Sequence, residues 1–169
     1  MKRIKTLIYA LTLLLACCWM SCKVYSLSGA HIAGKTVNLA PFQNRAGNVN
    51  PSLATTLENK IRSRVLSQTG LMAVNDPGAD YEMNAVITRY DVAISGAASN
   101  TTASQNRLTI SIEVDFKNKL DDKASFKSSF SRFADFPANQ QLQSVENSLV
   151  ESIGNELADD IFNKAFVNW

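Results

Sequence analysis

From residue 35 onward the spacing of apolar side chains changes several times, and each change predicts an element. Lys35-Thr36-Val37-Asn38-Leu39-Ala40 alternates polar and apolar residues, which predicts a strand that stops at Pro41. Residues 42–50, with Gln43, Asn44, Gly47, Asn48 and Asn50, read as a polar loop. Asn50 directly before Pro51 is the N-cap and first-turn pairing of a helix start. Leu53, Leu57, Ile61 and Val65 then recur every fourth residue, and Ala54 and Leu66 widen the stripe. Glu58 and Arg62 form an i,i+4 pair on the polar face, and Gly70 sits where a helix-ending glycine is expected.

Beyond Gly70, Leu71–Val74 reads as a short strand ended by Asn75-Asp76-Pro77-Gly78, and Tyr81–Ile94 as a long one. Residues 95–106 contain no large apolar side chain and predict a long polar hairpin loop. Next comes the cleanest alternation in the chain. Leu108, Ile110, Ile112, Val114 and Phe116 interleave with Thr109, Ser111, Glu113, Asp115 and Lys117, as in a sheet covered on one side only. A charged turn at Asn118–Lys123 leads into a strand over Ser125–Phe133, with Phe126 and Phe130 on one face. Ser144 is the expected cap of a second helix, whose stripe is Val145, Leu149, Ile153, Leu157 and Ile161. The order β-α-β-β-β-α implies an α+β two-layer sandwich. Two amphipathic helices would pack on one face of a four- or five-stranded mixed, mostly antiparallel sheet, with the strands around the first helix parallel through a right-handed crossover.

The first 34 residues follow another logic. Lys2, Arg3 and Lys5 precede an apolar run from Leu7 to Leu15, and Cys17, Cys18 and Cys22 close the segment. That is the layout of a secretory signal peptide, and the run is short of the roughly 20 apolar residues of a membrane span. No cysteine follows Cys22, so the domain is not stapled by disulfides and must rest on its core. A cysteine at a signal boundary is the acceptor for acyl chains, and several chains anchor where one does not. Leu14-Leu15-Ala16-Cys17 and Met20-Ser21-Cys22 both read as acylation boxes. Cys22 is favoured because cleavage there leaves no spare thiol. The expected organisation is a cleaved signal at 1–21, a lipidated Cys22 with a tether to residue 34, and one domain over 35–169.

Charge removes one class of function. Three of the 17 basic residues lie in the signal, so the remainder nearly balance the 15 acidic ones, and no basic footprint for nucleic acid exists. Catalytic motifs are missing too: no G-x-S-x-G elbow, phosphate-cradling glycine loop or H-E-x-x-H helix occurs, and nothing calls for a metal or cofactor. His31, the single histidine, reads as a surface residue. Asp121-Asp122 and Asp159-Asp160 read as solvated charge in a turn and on a helix's polar side. Arg89, Arg107, Lys117, Lys119 and Arg132 fall on or beside the central strands. They are either phosphate contacts or an ordinary mixed surface with Glu82, Asp91, Glu113 and Asp115 as neighbours. The chain reads as a binding protein and not an enzyme.

Several stretches resemble the lipopolysaccharide-assembly lipoprotein family LptE of Bacteroidota type. They are Cys22-Lys23-Val24-Tyr25-Ser26-Leu27-Ser28-Gly29, Asn50-Pro51 with its helix, Ser67-Gln68-Thr69 and Asn106-Arg107-Leu108-Thr109-Ile110. Ser129-Phe130-Ser131-Arg132-Phe133-Ala134-Asp135, Asp160-Ile161-Phe162-Asn163-Lys164-Ala165 and the closing Asn168-Trp169 complete the set. The resemblance supports Cys22 as the lipidated residue. It implies a lipid-anchored plug on the periplasmic side of the outer membrane, inside an LptD-like β-barrel that it helps assemble, with lipopolysaccharide as ligand. Candidate lipopolysaccharide contacts are then Arg89, Arg107, Arg132 and Lys117. Gly96, Asn100, Thr101 and Gln105 mark the candidate docking loop, which otherwise is a tolerant surface hairpin. The rival reading is a periplasmic lipoprotein that scaffolds or regulates a cell-wall enzyme. If Cys22 bears the lipid, Cys22→Ala leaves an unprocessed or soluble precursor while Cys17→Ala is still processed. Acyl chains found on Cys17 by mass spectrometry contradict this.

Overall fold

A computed structural model describes residues 32–47, 50–95 and 105–167. Strand β1 (Thr36–Leu39) and a two-residue strand β2 (Gln43–Asn44) precede helix α1 (Leu53–Thr69). Strand β3 (Met72–Ala73) follows, and then come three long strands, β4 (Tyr81–Ser95), β5 (Gln105–Asn118) and β6 (Phe126–Pro137). Helix α2 (Leu142–Phe162) ends in a π-turn over Asn163–Val167. The sheet runs β3-β1-β4-β5-β6, with β2 beside β4; β1 is parallel to β3 and β4, and β4-β5-β6 are antiparallel. This is the expected α+β sandwich, with a sixth strand where residues 42–50 predicted only loop. Gln43 and Asn44 pair with Val86 and Ile87, and neither position carries an apolar signal.

One face of β5 explains the packing. Leu108, Ile110, Ile112, Val114 and Phe116 are fully buried and join Val37, Met83 and Ile87 of the sheet in one core. Leu53, Leu57, Ile61 and Val65 of α1 close that core together with Ile153, Leu157 and Ile161 of α2. The helices lie side by side and point the same way. Asn50 bonds Glu146, Lys60 pairs with Glu151 and Arg64 with Asp159, so rising numbers match rising numbers. Gly154 permits the approach, because a Cβ there would stand 3.2 Å from Leu57 Cδ2.

Two expected caps differ. Asn50 does organise the start of α1, but from outside it: its Oδ1 accepts the Ser52 amide (3.0 Å) and hydroxyl (2.8 Å), and the helix begins at Leu53. Ser144 does not cap α2. The helix starts two residues earlier, and the Ser144 hydroxyl donates back to the Gln141 carbonyl at 2.7 Å. Gly70 ends α1 as expected, left-handed at φ 68°, with its N–H on the Leu66 carbonyl.

The chain enters the domain through a latch beside the C-terminal end of α2. Asp80 Oδ2 accepts the amides of Lys35 (2.7 Å) and Thr36 (3.0 Å), while Gly34 donates to the Tyr81 hydroxyl. Those two amides hold the Asp80 carboxyl below its ordinary value of 3.8. Tyr81 in turn packs edge-on against Phe166. Truncating a filled core leaves a cavity, so Leu57→Ala or Ile112→Ala should cost about 2–5 kcal/mol in denaturant unfolding. A midpoint unchanged from the parent chain contradicts the assigned layers.

Candidate functional site

The helices cover one side of the sheet, and among the described residues no element covers the other. Cross-strand partners share a face, so the open side carries Thr109, Ser111, Glu113, Asp115 and Lys117 of β5. From β6 it carries Lys127, Ser129, Ser131, Phe133 and Asp135, and from the far half of β4 Arg89, Asp91, Ala93 and Ser95. Ser111 and Ser131 hydroxyls bond each other across the strands at 2.9 Å. Each of the two arginines here already holds a carboxylate. Arg89 donates to Asp91 at 2.8 Å. Arg107 makes a bidentate pair with Asp135, at 2.7 and 2.8 Å, and its guanidinium lies 3.7 Å over the Phe133 ring. Ser95 adds a third bond to Asp135, so β4, β5 and β6 are tied together at the root of their hairpin. The Arg107 guanidinium keeps the Asp135 carboxyl below its usual range, and Asp135 raises the arginine in return.

The four basic candidates therefore do not form one site. Arg89, Arg107 and Lys117 lie on the open face, and Lys117 alone among them has no ion-pair partner among the described residues. Arg132 faces the other way. It stands opposite Ile110 on the helix side, where Asp160 grips it at 2.6 Å through two bonds and Glu156 lies 3.9 Å away. Asp159 and Asp160 are thus partners of Arg64 and Arg132, not free solvated charge. Lys119 pairs with Glu82 at 2.6 Å. Of the loop candidates, Gly96, Asn100 and Thr101 lie outside the described residues, as do Cys22 and His31. Gln105 is no loop residue. It opens β5, paired with Ser95 and Pro137, because β5 starts three residues before its first apolar side chain, Leu108.

Sequence reasoning missed a break in β4. The register slips between Ile87 and Arg89, leaving Thr88 as a bulge. Before it, odd-numbered residues face the helices; after it, Tyr90, Val92 and Ile94 do. There the helices have ended, so Val92 is 40% and Ile94 76% exposed. Beside them opens a groove of about 490 Å³ lined by Asn50, Ser52, Tyr90, Leu142, Gln143 and Glu146. Glu146 accepts from both Asn50 (2.7 Å) and the Tyr90 hydroxyl, and burial with that carboxylate pushes the phenol well above its ordinary value. Among the described residues, no group of three or more metal-ligating side chains occurs, and no helix is long and apolar enough to cross a membrane.

The model of the LptE family, described as lipopolysaccharide-assembly, matches residues 34–165, which is most of the chain. The chain belongs to the LptE family. Solved structures with the same fold include a minor lipoprotein of Acinetobacter baumannii, at 12% identity and a TM-score of 0.51, covering 79% of this chain and 93% of that one. A protein of Xanthomonas campestris (11%, TM-score 0.54, 80% and 85%) and a lipoprotein B of Nitrosomonas europaea (12%, 0.51, 77% and 81%) share it. No curated protein matches by sequence. The LptE family is a non-enzymatic lipopolysaccharide-assembly family. The electrostatics of the open sheet face are testable. A carboxyl held below its ordinary value stabilises the fold above that value and loses the effect as pH falls past it. Asp135→Asn should lower the urea midpoint near about pH 7, and the difference from the parent chain should shrink as pH falls below the ordinary carboxylate value of 3.8. A gap that stays constant as pH falls contradicts the Arg107 pairing.

Proposed function

We propose that this LptE protein is an outer-membrane lipoprotein that plugs an LptD-type β-barrel, helps that barrel assemble, and so serves lipopolysaccharide export to the cell surface. Lipidation at Cys22 holds it on the periplasmic side, and residues 23–34 form the tether. The observation that carries the reading is the uncovered sheet face. It spans three long strands, it is polar, and its charges are largely matched inside the domain. A surface of this kind suits a wet, polar lumen: it offers hydroxyls and neutral ion pairs, and exposes Phe133 as its large apolar side chain. Matched charge also shapes what lipopolysaccharide would meet. Guanidinium groups grip phosphate well in bidentate fashion. Arg89 and Arg107 must first release Asp91 and Asp135, whereas Lys117 is available at once.

The test is purification of the full chain from outer membranes. A β-barrel partner should come with it in fixed ratio, and depletion of the chain should lower the amount of assembled barrel. Recovery with a cell-wall synthase and no barrel contradicts the reading and favours a scaffolding role. Lys117→Ala should weaken retention of lipopolysaccharide on the purified complex more than Arg132→Ala does, and equal retention removes Lys117 as a contact.

A further inference from the structure

The far half of β4 is an open sheet edge. β1 and β2 pair with β4 only at Tyr81–Met83 and Val86–Ile87, so among the described residues its one neighbouring strand from the Thr88 bulge to Ser95 is β5. The direction of its backbone groups follows from the ladder. The Ile87 carbonyl accepts from the Arg45 amide at 2.9 Å, so Ile87 turns its backbone away from β5 and stands opposite Ile112 in a non-bonded pair. Antiparallel ladders alternate bonded and non-bonded pairs. Ile110, Leu108 and Asn106 share the parity of Ile112, so their partners Tyr90, Val92 and Ile94 also turn N–H and C=O outward. Among the described residues nothing bonds these outward groups.

Exposed edges are ordinarily guarded by charge or shortness. β3 at one margin is two residues long. β6 at the other places Lys127 and Asp135 at outward positions and is flanked by Arg132 with its two acids. On the β4 edge the two charged residues, Arg89 and Asp91, pair with each other on the open face. The residues that turn their backbone outward are Tyr90, Val92 and Ile94, with the two aliphatics exposed. Glu146 is the one carboxylate lining the groove beside them.

From this edge we infer that β4 docks an extended segment of the barrel partner as an added strand along its outward Tyr90, Val92 and Ile94. Backbone pairing with Tyr90, Val92 and Ile94 supplies affinity, and alternate side chains supply choice. The segment is aliphatic where it meets Val92 and Ile94, and bears a hydrogen-bond donor where it meets Glu146. The inference rests on the barrel reading for its partner, but it concerns a different surface from the open face.

Hydrogen exchange resolved by residue, on the full chain alone and in its complex with the barrel, tests this. Amides of Tyr90, Val92 and Ile94 should slow by roughly tenfold or more on complex formation, while Arg89, Asp91 and Ala93, already turned toward β5, change little. Ile94→Lys, which adds the missing guard at an exposed site, should lower barrel recovery about tenfold without moving the melting temperature. A complex that forms with no alternation in protection overturns the added strand and leaves the barrel role standing. Alternation that grows with concentration in the chain alone assigns the edge to a second copy and overturns it as well. If the parent chain recovers no barrel, the proposed function fails and this inference fails with it.

Discussion

Burial on one side only is the constraint from which the rest of the molecule follows. β5 turns five fully buried side chains toward the helices and Thr109, Ser111, Glu113, Asp115 and Lys117 toward solvent. Because side chains alternate with a strict period of two, a slip of one residue would expose the whole apolar row. The register of β4 and β6 on β5 is therefore fixed by the core. Fixing it also decides which polar groups meet on the open face.

Among the described residues two parallel helices supply the cover, and their length sets its limit. Their termini come together near Asn50 and Glu146, while β4, β5 and β6 run on toward the hairpin. Past that point helix packing no longer holds the sheet on that side. Bonding moves to the open side, where Arg107, Asp135, Ser95 and Phe133 tie three strands together. An exposed ion pair is ordinarily worth little, but here a bidentate fork is stacked on an aromatic ring and shared by adjacent strands. Among the described residues the same overhang leaves Val92 and Ile94 uncovered and the outer margin of β4 unpaired.

Much of this was legible in the chain. The four-residue stripes from Leu53 to Val65 and from Leu149 to Ile161 gave both helices, and the alternation from Leu108 to Phe116 gave the central strand and its two unlike faces. The Thr88 bulge was missed although it leaves a mark: the apolar positions switch from Tyr81, Met83, Ala85 and Ile87 to Tyr90, Val92 and Ile94, a change of parity that Val86 blurs. The fates of the arginines were hidden. Arg107 meets Asp135 across 28 residues, and Arg132 meets Asp160 across 28 more, so neither pairing can be read without the register and the helix position. The pleat sets Arg132 on the opposite face of the sheet from Arg89 and Arg107. β2 was missed because two polar residues bonded through their backbone carry no pattern at all.

If the open face is the one that meets the barrel lumen, contact must be one-sided in the same sense as burial. Photo-crosslinkers placed one at a time in the full chain, at Ser111 on the open face and at Asn155 on the outer surface of α2, measure this in the intact envelope. Both positions are polar side chains outside the core. Crosslinks to the barrel from Ser111, with few or none from Asn155, are the predicted result. Barrel crosslinks from Asn155 with none from Ser111 would contradict it, because the polar sheet would then face away from its partner.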